Sequence, residues 1–217
     1  FLLSQMIHNP EVNNDLIMRG VKFLMDTAGN SLIPFSELQP SDIVIIPAFG
    51  TTLKIEDELN KIGIEVRKYD TTCPFVERVW KKSEKLGEDN YTIIIHGKFN
   101  HEETRATFSR SEKASPSIIV KDLKEAHSLG EFILGNISKE EFEKAYKDQY
   151  SLGFDPQKHL LRVGVINQTT MLASETQEIA DYFKNTMIKK YGAENLKDHF
   201  SDTRDTLCYA TNENQEA

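Results

Sequence analysis

The chain has 217 residues, with 26 Lys and Arg against 34 Asp and Glu for a formal net charge of -8; this length suffices for one large or two ordinary domains. The acidic balance argues against general nucleic-acid binding, which draws its affinity from clustered Lys and Arg, but leaves room for a locally positive pocket that takes a small anion. A mean hydropathy of -0.47 and the absence of any apolar run near the ~18–20 residues of a bilayer span point to a soluble, membrane-free protein, and two cysteines are too few for a disulfide framework or a complete metal site.

The chain opens on Phe1-Leu2-Leu3, which lacks the basic flank and long apolar core of a signal peptide, and it closes on polar residues that resemble the opening of a helix. Both ends read as cuts within a longer protein. Helical periodicity is then expected at residues 11–19, 55–61, 75–86, 122–129, 139–146 and 174–189, where Leu, Ile, Phe and Met recur every three or four positions. Short β-rich runs are expected as strands at 42–47, 64–69, 91–96, 117–120 and 162–166. Ser174 with Gln177 three residues on suggests a capping box for the longest helix, Gly130 and Gly192 are placed to stop helices, and 148–158 reads as a loop. Alternating strands and helices of this kind predict an α/β fold with a parallel sheet.

The polar clusters recur at one place in that pattern. His8-Asn9, Asp70-Thr71-Thr72-Cys73-Pro74, His96-Gly97 and Asn167-Gln168-Thr169-Thr170 sit at or near predicted strand ends, where open α/β sheets bind ligands. Cys73 precedes a predicted helix, so the dipole and free N–H groups there favour a thiolate ligand; taken alone, it reads more readily as a buried, inert cysteine. Cys208 lies in a similar position near the end of the chain. In His101-Glu102-Glu103 an imidazole and a carboxyl two positions apart at a loop–helix junction can bind an anion and move a proton, or can simply form a solvated acidic helix start. Gln168, Thr169 and Thr170 can fix a polar substrate or form an ordinary turn.

Six segments in order decide between these readings: IHNPEVNNDL, DIVIIPAFGTT, YDTTCPFVERVW, YTIIIHGKFNHEET, VGVINQTTMLASET and MIKKYGAENLKDHF with DTLCYATNENQ. Together they resemble the 4-hydroxy-3-methylbut-2-enyl diphosphate reductase family, in its plant and cyanobacterial branch, through nearly the whole chain. The resemblance implies a trefoil-like arrangement of small α/β domains around one four-iron four-sulfur cluster, divided here at 1–73, 74–200 and 201–217, the last being the start of a truncated domain. Cys73 and Cys208 match two of the three cluster cysteines, which are expected to approach one cluster although far apart in sequence; the third is expected upstream of Phe1.

By the same resemblance Glu103 matches the catalytic acid, with Glu102 turned to solvent, and Thr169 helps position the substrate hydroxyl. His8 and His101 match diphosphate-binding histidines, with Gln168 and Thr170 flanking as further substrate contacts. Phe49 stands where many bacterial members carry a histidine. The implied reaction is reductive dehydroxylation of the diphosphate to isopentenyl and dimethylallyl diphosphate, with electrons from ferredoxin or flavodoxin. The implied compartment is the bacterial cytoplasm, or the plastid stroma in a plant or alga; the oligomeric state stays open. The competing reading is a non-catalytic α/β anion-binding or regulatory module with buried structural cysteines.

Overall fold

The computed structural model describes residues 1–201. The expectations that rest on Cys208, including its approach to Cys73, and on 202–217 fall outside the described residues. At the centre are four parallel strands in the order β2-β1-β3-β4: β1 Thr92–His96, β2 Ser117–Val120, β3 Val163–Asn167 and β4 Phe200–Ser201. Their side chains alternate between two apolar faces. Ile93, Ile95, Ile119 and Ile166 pack with Val79 and Leu86 of α3 (Pro74–Glu88), against which α4 (Glu102–Ala114) lies. On the other face Ile94, Ile118, Val120, Val163 and Val165 meet α5 (Leu123–Leu134) and α8 (Ala173–Tyr191) through Leu129, Ile133, Ile179, Phe183 and Met187. Each such side chain removed from water contributes about 1.5–3 kcal/mol. The short helices α6 (Lys139–Ala145), α7 (Pro156–His159) and α9 (Leu196–His199) complete this unit, α7 starting inside the expected loop.

The preceding residues, which include α1 (Pro10–Met18), form a separate apolar cluster of Leu3, Leu24, Leu38, Val44, Ile46, Leu59, Ile64 and Val66, against which α2 (Leu53–Ile62) packs through Leu59, Ile55 and Ile62. Here two expected strands are corrected. Residues 42–47 pair only through single bridges, Leu2 with Ile45 and Ile46 with Asp70, and Pro47 has no N–H to carry a ladder onward. Residues 64–69 bury Ile64 and Val66 but close on themselves: Val66 N–H donates to Ile64 and Lys68 N–H to Glu65, giving a 3-10 turn at Val66–Tyr69.

Three helix expectations also change. Gly130 does not stop α5; it lies within the helix because a Cβ there would meet the Tyr182 hydroxyl at 2.3 Å, and the stop is Gly135 at φ +85°. Ser174 does not cap α8, whose N-cap is Leu172 without a side-chain bond; the capping box forms at Ser138 and Glu141 instead. Finally, α4 runs 13 residues where periodicity indicated no helix beyond its first turn. Its buried side is small and polar, with Thr107 Oγ1 accepting from Trp80 Nε1 (3.1 Å) and Ser83 Oγ donating to Ser111 Oγ (2.7 Å), so α3 and α4 approach closely without an apolar stripe.

Candidate active site

The connections decide where polar residues converge. From β1 the chain passes through α4 to β2 on one side, while β3 flanks β1 on the other and leads into α8 on the opposite face. The carboxyl ends of β1 and β3 therefore form the switch point of the sheet, the position at which open α/β sheets form their ligand crevice. Two loops line it, Gly97-Lys98 after β1 and Gln168-Thr169 after β3. They are held together closely: a Cβ on Gly97 would lie 2.6 Å from Thr104 Oγ1 and 3.1 Å from Gln168 Cβ, so only glycine fits. Gln168 is almost fully buried and locked at both ends of its amide. Its Oε1 accepts from Lys98 N–H (3.1 Å) and Thr104 Oγ1 (2.9 Å), and its Nε2 donates to Thr170 Oγ1 (2.6 Å).

The first turn of α4 sits at this crevice and is tied in three directions. His101 is its N-cap, with Nδ1 accepting from Glu103 N–H (3.1 Å). Glu103, 1% exposed, accepts from Thr169 N–H through Oε1 (2.5 Å), while its buried Oε2 has no partner among the described residues. Burial pushes its carboxyl up to about 7, against the pull of the Thr169 amide and hydroxyl; the neighbouring Glu102 charge pushes the same way as burial. A buried carboxyl poised there holds its proton near neutral pH and can give it up.

Glu102 does not face solvent as expected: it is 7% exposed. Its Oε2 accepts from the buried Ser4 hydroxyl (2.5 Å), Oε1 has no partner among the described residues, and burial raises this carboxyl too to about 7. Helical geometry still points the two carboxylates about 100° apart. Both are buried because the helix start is wedged between two cores, so each direction meets protein. Neither Glu102 nor Ser4 stood out from the sequence as a site residue, and nothing local to Ser4 marks it; its importance comes from a contact 98 positions away.

His8 reaches the same turn from the first unit, its Nε2 lying 2.8 Å from His101 Nε2. Because His101 Nδ1 already accepts a bond, its single proton as a neutral ring sits on Nε2, which donates to His8 Nε2 and leaves the His8 proton on Nδ1. Phe49 stacks on His8 (ring centroids 4.3 Å) and meets His101 edge-on (5.6 Å). Burial lowers both histidines, His101 to about 4, and the nearby charges of His8, Lys98 and Arg105 lower it further. The same cationic surroundings favour an anion, which would accept from both rings once each presents an Nε2–H.

Cys73 is half-buried at the N-cap of the 15-residue α3 and packs against the Val76, Trp80 and Ala106 cluster, Ala106 being one turn along α4 from Glu102 and Glu103. Its thiol makes no hydrogen bond among the described residues, which suits a ligand position. Among the described residues no three His, Cys, Asp or Glu side chains are grouped to hold a metal ion by themselves. The structure thus brings His8, His101, Glu103, Gln168, Thr169 and Thr170 to one crevice and sets Cys73 on the adjoining helix. Outside this set it also buries His96, whose Nδ1 lies 2.8 Å from Thr176 Oγ1 while Nε2 has no hydrogen-bond partner among the described residues and lies 3.9 Å from Glu175 Oε2. No described helix is long and apolar enough to cross a membrane.

Comparison with known proteins bears on the family and the fold of the chain. The family model for LytB protein matches residues 1–217. The chain is 46% identical over 217 residues to the 4-hydroxy-3-methylbut-2-enyl diphosphate reductase of Prochlorococcus marinus (strain AS9601) and 43% identical to that of Crocosphaera subtropica (strain ATCC 51142 / BH68), covering 100% of this chain and 52% of each relative. It spans about half the length of these curated relatives. The solved structure of (E)-4-hydroxy-3-methyl-but-2-enyl diphosphate reductase, described as the terminal enzyme of the non-mevalonate pathway, superposes with a TM-score of 0.67 at 25% identity, covering 99% of this chain and 59% of that one. A reductase structure from Plasmodium falciparum gives the same TM-score at 20% identity and covers 54% of that chain, a likeness of fold.

Proposed function

Because this chain belongs to the LytB family, we propose that the protein it is part of reduces (E)-4-hydroxy-3-methylbut-2-enyl diphosphate to isopentenyl and dimethylallyl diphosphate. The balanced reaction takes two electrons and two protons, breaks the allylic C–O bond and releases water. We read the chain as 1–73, 74–200 and the start of a third unit from 201, with Cys73 and Cys208 as two of three thiolates around one four-iron four-sulfur cluster. The donor set fits: Cys73 is a half-buried thiol at a helix N-terminus, without a hydrogen bond among the described residues. When bound, such a cluster supplies the electrons and a Lewis-acidic iron for the hydroxyl oxygen.

This chain's own residues do the rest. His8 and His101 bind the diphosphate as Nε2–H donors, and the charge that arrives raises the affinity of both rings for protons. Gln168 and Thr170 hold the floor of the crevice, and Thr169 orients the substrate hydroxyl. Glu103 keeps a proton on its buried carboxyl and delivers it to the oxygen that leaves as water. The observation that carries this reading is Glu103 itself: nine-tenths and more buried, tied to Thr169 through one oxygen, with the other buried and without a hydrogen-bond partner among the described residues. Ferredoxin or flavodoxin supplies the electrons, in the cytoplasm of a bacterium or the plastid stroma of a plant or alga. The test is anaerobic turnover by the full-length protein with a chemical reductant. Both isopentenyl and dimethylallyl diphosphate should form; a cluster-replete enzyme that leaves the substrate intact would overturn the proposal.

A further inference from the structure

The first turn of α4 carries two buried carboxylates, and only Glu103 is used above. Glu102 accepts a hydrogen bond from Ser4, and Ser4 belongs to the segment that carries His8. That segment is fixed to the first unit on either side of Ser4: Leu3 N–H donates to Ile45, and Met6 accepts from Ala48 N–H. On its other side the helix turn is fixed to the sheet by Glu103 and Thr169. The Ser4–Glu102 bond therefore joins the unit that presents His8 to the helix that presents His101. Both partners are nine-tenths or more buried, so the bond is made in a low dielectric where its loss is costly.

We infer that Glu102, held by Ser4, is a positioning residue that sets the distance between His8 and His101 and thereby the affinity of the crevice for a diphosphate. This rests on the reading of those two histidines as the anion site. The requirement is an acceptor rather than a charge: Ser4 donates, so a glutamine oxygen at position 102 serves, whereas an alanine leaves the hydroxyl unpaired and the turn untied. Arg105, also on α4, does not take over the role, because its guanidinium donates to the carbonyls of Thr27 and Ala28, a different part of the first unit, and to that of Asn100 in the loop just before α4. Exposed neighbours such as Lys98 add charge to the crevice without spanning the two units.

The experiment uses the full-length, cluster-replete protein and titrates inorganic pyrophosphate by calorimetry beside steady-state kinetics. Glu102→Ala and Ser4→Ala should each weaken pyrophosphate binding and raise KM by roughly 10-fold, the loss of about 1–2 kcal/mol expected for one buried hydrogen bond, with kcat and iron content little changed. Glu102→Gln should restore wild-type binding. His8→Ala serves as the control for the underlying reading. If His8→Ala weakens pyrophosphate binding while Glu102→Ala and Ser4→Ala do not, the positioning role is overturned and the anion site stands. If His8→Ala leaves binding unchanged, both fall. A kcat loss without a KM change in Glu102→Ala, or failure of Glu102→Gln to rescue, also contradicts the inference.

Discussion

Glu103 Oε1 accepts the backbone N–H of Thr169 at 2.5 Å, joining the first turn of α4 to the loop that leaves β3. One bond thus ties together the two strand ends at the switch point of the sheet and fixes the direction in which the remaining carboxyl oxygen faces. Several consequences can be measured.

The pH dependence of stability should have two opposing parts. Glu102 and Glu103 have folded values near 7 against an ordinary 4.5, so they bind protons more tightly when folded and their contribution is lost as pH rises toward 7. His96 and His101 have folded values near 4 against 6.5, so their contribution is present above 6.5 and is lost as pH falls toward 4. The two sets oppose one another between about pH 4.5 and 6.5. In the double variant Glu102→Gln with Glu103→Gln, denaturation midpoints should climb more steeply with pH over that window than in the wild type. Parallel profiles would show that these carboxyls are not shifted.

Gln168→Ala should destabilise the protein by about 1–3 kcal/mol, because it strands the buried Thr104 hydroxyl and removes the acceptor of the half-buried Lys98 N–H bond, both of which its Oε1 now satisfies. Urea unfolding checks this. A change within ~0.5 kcal/mol would mean that water replaces the amide and that the crevice floor is open.

His8→Ala should raise KM for the diphosphate roughly 10- to 100-fold with a smaller effect on kcat, as for the loss of a charged hydrogen bond of about 1.5–3 kcal/mol. His101→Ala should do the same and also lower stability by ~1 kcal/mol, since it removes the N-cap of α4. Steady-state kinetics and thermal unfolding of both variants separate the two roles. Equal stability losses in the two would place the cap elsewhere.

The sequence made three of the four central strands legible because they are short apolar runs bounded by polar residues, whereas the two-residue β4 carries no such run. The expected 117–120 coincides with β2, and the runs 91–96 and 162–166 lie within one residue of β1 and β3 at each end. It showed the start of α4 but not its length, because a helix packed through Thr107 and Ser111 shows no apolar stripe, and it misplaced strands at 42–47 and 64–69, where buried apolar residues are held by single bridges and local turns. Around the crevice, the His101-Glu102-Glu103 triplet was visible as a motif. What it does not reveal is that both carboxylates are buried: the helical-wheel argument assumes one protein-facing side, and this helix start has two. Ser4 and the Gly97 contact were invisible for a related reason, since each gains its meaning only from residues brought near by the fold.

The account stands or falls on Glu103 as the proton donor, and the most direct measurement compares Glu103→Gln with the wild-type full-length enzyme in anaerobic turnover of the allylic diphosphate. The glutamine keeps an oxygen for the Thr169 N–H but has no proton to transfer, so iron content and pyrophosphate affinity should be unchanged while turnover falls by roughly 10²–10⁴-fold. Glu102→Gln, measured in parallel, should turn over near the wild-type rate. Wild-type turnover by Glu103→Gln, or a loss confined to Glu102→Gln, would contradict the account.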